Sequence, residues 1–202
     1  MATTAAPYGL KPVKRADGMP YAGATSTYLI DPAGEATNIF NGQVVTIGAD
    51  GYIALATGSG ADLTTNNLGG DTIGAIGVFM GCEYQNAEGQ QIFSQYYPSG
   101  TANGGPIKAY VVDDPNVLFQ AQLDGTGAQT IIGATTTFAA VQSTSTGSTT
   151  TGVSSSALDA TVATAAKPFK IVAHVSDPSD AYPDVLVKIV TDAHMMTMST
   201  GV

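Results

Sequence analysis

The sequence predicts an all-β protein, an antiparallel barrel or sandwich with an extended N-terminal arm and little helix. Three observations carry that reading. Short apolar runs alternate with Gly, Asn, Asp and Pro throughout the chain, at the spacing of strands and turns. No segment has the period or length of a helix able to cover a parallel sheet. Only 11% of the 202 residues are charged, against about 25% in an ordinary soluble domain, and Gly, Ala, Ser, Thr and Asn fill the gap. Such a composition suits a β-rich protein packed against copies of itself or another surface.

The elements follow in order. Pro7, Pro12, Pro20 and Pro32 interrupt helix and favour extended backbone. Residues 1–22 therefore read as an arm outside the core, and Thr25 to Ile30 as the first strand. Asn41-Gly42 lies between Ile39-Phe40 and Val44-Val45, a hairpin signal because both turn residues tolerate positive φ. A second hairpin joins Val44–Ile47 to Tyr52–Leu55 through Gly48-Ala49-Asp50-Gly51. Ile73 to Tyr84, Gln91 to Tyr97, Ile107 to Val112 and Val117 to Leu123 are four further strands.

The run from Ser143 to Ser156 is almost entirely Ser and Thr and reads as a solvated loop or linker, or as an edge strand if a partner pairs with it. Ala157 to Ala166 reads as one short helix. In Phe169–Val175, the odd positions Phe169, Ile171, Ala173 and Val175 share one face, with Lys170 and His174 on the other. Asp177-Pro178-Ser179-Asp180 is a turn, and Val185–Val190 a buried final strand. The chain divides into an arm with its first strand (1–37), a main β portion (38–123), and a Ser/Thr-rich loop followed by a second β portion and tail (124–202).

Charge and cysteine content restrict function. The net charge is −9, with 7 basic residues against 16 acidic, which disfavours direct contact with nucleic acid. Cys82 is the sole cysteine, so neither an intrachain disulfide nor a cysteine zinc cluster is possible. The N-terminus lacks a basic start followed by an apolar run, and no stretch approaches the roughly 18 apolar residues of a membrane span. The expectation is a protein made in the cytoplasm, without a membrane partner.

Catalysis is not expected. His174 and His194 sit in no recognisable motif, and no Gly-x-Ser-x-Gly elbow occurs. Cys82 reads as a small buried residue. Asp113-Asp114, Asp124-Gly125-Thr126-Gly127 and Asp177–Asp180 lack the alternating carboxylates and closing Glu of a calcium loop, so turn chemistry explains them. Gly58-Ser59-Gly60 lacks the Lys-Ser/Thr of a phosphate loop. No catalytic, cofactor-binding or metal residue is assigned.

Two groups point instead to contact with a partner. Tyr8, Lys11, Lys14 and Arg15 concentrate aromatic and basic character in the arm, where an extended segment could lie on an acidic surface and order there. Met195, Met196 and Met198 form a Met-rich cluster of the kind found at interfaces.

Several stretches resemble head decoration (cement) proteins of short-tailed bacteriophages: Pro7-Tyr8-Gly9-Leu10-Lys11-Pro12-Val13, Thr37 to Val45, Ile76-Gly77-Val78-Phe79-Met80-Gly81, Tyr110 to Pro115, and Val185 to Ile189. They are short, apolar and Gly-centred, and spread over most of the chain. The resemblance implies a β-rich, often trimeric virion protein on the outer capsid surface, made in the host cytoplasm, that clamps capsomers of the major capsid protein after head expansion. It implies no catalytic residues. A carbohydrate-binding module displayed on a virion is the alternative expectation, with nine Tyr available for a sugar platform and no Trp.

Overall fold

The turn predicted at Gly48–Gly51 forms, with Gly51 at φ +82° and strands β3 (Val44–Ile47) and β4 (Ile53–Leu55) paired antiparallel through Val45–Leu55, Thr46–Ala54 and Ile47–Ile53. The computed structural model describes residues 4–56, 74–101, 105–143, 145–164 and 167–197. The remaining strands are β1 (Lys11–Arg15), β2 (Ser26–Ile30), β5 (Gly77–Gln85), β6 (Gln91–Ser94), β7 (Ile107–Val112), β8 (Val117–Gln122), β9 (Thr135–Thr136), β10 (Phe169–His174) and β11 (Asp184–Ile189). Helix is limited, among the described residues, to single 3-10 turns such as Gln129–Ile131 and Thr191–Ala193.

Two antiparallel sheets pack as a sandwich; the barrel alternative is not realised. The first sheet runs β1-β8-β11-β10-β9, the second β2-β7-β5-β3-β4 with β6 also paired to β5. The first sheet crosses both boundaries drawn from sequence, because β8 lies between β1 and β11. Between the sheets sit Val44, Val78, Val112, Phe119, Phe169, Ile171, Val185 and Val187. Val45, Phe79, Cys82, Ala109 and Val111 form a second core with Ile30, Ile39, Ile53 and Tyr97. The second sheet curls around that core, bringing its end strands β2 and β4 near each other without pairing.

Five sequence expectations are corrected. Residues 9–15 of the supposed arm are part of the sandwich: β1 pairs with β8 as an edge strand, Leu10 is fully buried, and its amide donates to the Gly42 carbonyl at 2.8 Å. Prolines misled because a strand at a sheet edge tolerates one, and Pro12 sits on such a strand, beside a register shift. Asn41-Gly42 does make a turn, with Gln43 N–H donating to the Phe40 carbonyl, but Ile39 pairs with Tyr97 instead of folding back on Val44.

The Ser/Thr run is a packed segment rather than a solvated linker. Ser154 and Ser156 are buried, and Thr146 Oγ1 accepts from the Gln43 side-chain amide at 2.8 Å. Gly147 lies against the Phe40 ring where a side chain would not fit. Over residues 157–164 there is no helix; Leu158 is buried and bridges Leu123 and Phe138 in extended backbone. In β10 the predicted alternation holds for Phe169 and Ile171, then a register shift between Ile171 and Ala173 breaks it, leaving Val175 exposed.

Candidate functional site

The basic N-terminal residues are spread along one strand, and Arg15 among them is neutralised by Asp17 and Asp114. Tyr8 donates its hydroxyl to Asp184 Oδ1 at 3.0 Å, while Gln120 Nε2 donates to Oδ2 at 3.1 Å. Burial, then the Asp184 charge, pushes the Tyr8 phenol well above its ordinary range. Tyr8 and Lys11 line a groove of about 390 Å³ with Leu10, Asn41, Met80 and Val153. Arg15 lines a second groove, of about 250 Å³, with Met19, Tyr21 and Asp114. Its guanidinium is held by Asp17 at 3.1 Å and Asp114 at 2.5 Å. Lys14 is half-buried, bridging to Pro20 where the chain turns back over β1. The strand therefore brings Tyr8 and Lys11 together and separates both from Arg15.

At the other predicted contact, Met195 is half-buried and Met196 largely exposed; Met198 lies outside the described residues. Met195 N–H donates to the Ala75 carbonyl, so the segment is tied to the strand that leads into β5. His194 beside it is buried, and its Nδ1 accepts from the Met196 amide at 3.3 Å. Burial holds this imidazole below its ordinary pKa, opposed by Asp113 and Asp114 and assisted by Lys188.

Sequence reasoning missed the third surface, on the outside of the curled sheet. Register places Leu29 of β2, Lys108 of β7, Glu83 of β5 and Phe93 of β6 directly opposite one another in one row. Residues opposite in an antiparallel sheet share a face. Lys108 Nζ lies 3.5 Å from Glu83 Oε1, Tyr110 donates to Oε2 at 2.6 Å, and Gln91 Nε2 donates to Oε1 at 2.8 Å. The Tyr110 hydrogen bond, with Lys108 behind it, holds the Glu83 carboxyl below its usual range. The centre of the row is thus internally neutralised. At its two ends Leu29 is 46% and Phe93 71% exposed. The alternation in Ile107–Val112 signals which β7 residues face outward, but the four-strand alignment depends on long-range register that no local pattern encodes.

Nothing in these surfaces assembles a nucleophile with a base. His174 Nε2 lies 3.3 Å from the Ala128 carbonyl oxygen, and burial raises the Cys82 thiol to about 12, against the thiolate form. No group of three His, Cys, Asp or Glu residues is placed to hold a metal ion among the described residues. Among them too, no helix is long and apolar enough to cross a membrane. The chain matches no protein-family model, no curated protein and no solved structure.

Proposed function

We propose that this chain is a virion structural protein that binds the outside of an assembled capsid and stabilises it by bridging subunits of the major capsid protein. The observation that carries the reading is the row on the outer face of the second sheet. Leu29 and Phe93 are apolar side chains held in water by a rigid sheet, and the Lys108–Glu83 pair between them presents no net charge. Apolar surface with a neutralised polar centre is covered favourably by another protein, since little charge must be stripped of water. The low charge of the whole chain supports the same role. A subunit that binds only the assembled shell stabilises it by mass action, without a catalytic group.

The test is co-sedimentation of the purified protein with expanded phage heads lacking their decoration subunits, beside a glycan panel. Saturable binding to heads, reduced at least tenfold by Leu29→Lys with the fold intact, is the expected result. No binding to heads, or binding confined to glycans, contradicts the proposal and favours a carbohydrate-binding module.

A further inference from the structure

We propose that β6 is a self-pairing edge, joining two copies of this chain in antiparallel register across a twofold axis. The inference rests on an inventory of sheet edges, since an unpaired strand edge is a template for another strand. The outer edge of β1 is covered by its own chain: Arg15 N–H donates to the Met19 carbonyl at 2.8 Å and Tyr21 N–H to Val13 at 3.2 Å. The outer edge of β9 is covered by Ala163, which exchanges backbone hydrogen bonds with Thr135 at 2.9 and 3.1 Å. The end strands β2 and β4 come near each other without a backbone ladder between them. Among the described residues, that leaves β6, whose strand partner is β5 on one side.

The phase of the β5–β6 ladder shows which groups that edge offers. Asn86 N–H donates to the Gln90 carbonyl at 3.0 Å, and bonded pairs recur every second residue outward from there. Tyr84–Ile92 and Cys82–Ser94 are then the bonded pairs, and the backbone N–H and C=O of Gln91 and Phe93 point away from β5. Both side chains are exposed as well.

Charge selects the occupant. A chain of net charge −9 repels its own copies over most of its surface, but from Gly89 to Ile107 it carries no charged residue. The strand also lacks the Lys, Pro or bulge that usually blocks an edge. The neutral complement that a second copy offers is its own β6. In the resulting contact Gln91 and Phe93 exchange backbone hydrogen bonds with the partner's Phe93 and Gln91, and the two Phe93 rings come together on the outer face. A strand paired with its own copy closes as an isologous dimer. This goes beyond the capsid-binding proposal and replaces the trimer implied by resemblance with a pairwise assembly.

Sedimentation equilibrium of the full chain, without capsids, tests it. Two substitutions act on the edge from the outside: Gln91→Pro removes an outward N–H and no bond to β5, and Phe93→Lys adds like charge at the axis. The expected result is a species of twice 20.4 kDa that halves in mass in both variants, with unchanged circular dichroism. If one variant fails to fold, the other decides. A wild-type monomer at all concentrations, a trimer, or a dimer that survives the substitution in a folded variant overturns the proposal. Because capsids are absent, failure here is separate from failure to bind heads, which Leu29→Lys reports.

Discussion

Gly9 and Gly42 cross at a distance that only two glycines allow. Both hold positive φ, +76° and +89°, and a Cβ on Gly9 would lie 2.5 Å from the Gly42 carbonyl oxygen. A Cβ on Gly42 would in turn lie 2.8 Å from the carbonyl oxygen of Tyr8. That same Gly42 oxygen accepts the Leu10 amide. The crossing pins the N-terminal strand to the turn that leads into β3, which links the two sheets at one point.

Alanine at either position is expected to destabilise the protein by about 2–4 kcal/mol, combining backbone strain with a clash against backbone. Gly51, also at positive φ but with open space around it, is the control and is expected to lose only about 1 kcal/mol. Denaturant unfolding of the three variants checks the ranking.

Deleting residues 1–15 is expected to damage the isolated protein, in contrast to removal of a free arm. It takes away the buried Leu10 and strips the outer neighbour from β8. Loss of one such buried side chain costs about 2–5 kcal/mol, so the melting midpoint falls by roughly 4–20 °C. A truncated form that melts with the full chain contradicts the placement of β1.

Gln142 serves as a strand substitute beside β3. Its Oε1 accepts the Val44 amide at 2.9 Å, and its Nε2 donates to the Ala56 carbonyl at 2.8 Å and the Val44 carbonyl at 3.2 Å, all in the interior. Gln142→Leu keeps the volume and abandons these backbone groups, at an expected cost of about 2–4 kcal/mol. Thermal or denaturant unfolding measures it.

How legible was this fold? The hairpin of β3 and β4, the strand β7, and the apolar run of β11 each depend on neighbours in sequence, and each forms close to where the sequence predicts it. Tertiary partners decided the rest. Residues 9–15 look like an arm until β8 offers a backbone edge and the core accepts Leu10. The Ser/Thr run has a linker's composition, yet the buried amide of Gln43 finds its acceptor there, at Thr146. The helix read at 157–166 does not form over 157–164, where Leu158 bridges Leu123 and Phe138 instead. Of the candidate surfaces, the residue types at Tyr8 and Lys11 were legible, but their separation from Arg15 and the Leu29–Phe93 row were not. Both follow from strand register.

His194 makes stability depend on pH near neutrality. Its folded pKa is lowered from 6.5, so below that value the unfolded chain binds more protons than the folded one. Stability is therefore full above pH 6.5 and declines as the pH falls through it, before the carboxylates titrate. His194→Gln is expected to flatten the melting midpoint between pH 7 and 5 relative to wild type. Equal slopes in the two proteins contradict the assignment.

The capsid proposal is tested most directly by the temperature at which phage heads open, followed as dye access to packaged DNA in heads with and without this protein bound. The account predicts a higher opening temperature for decorated heads, and loss of that increase with the Leu29→Lys protein. Identical opening temperatures at full occupancy would contradict it.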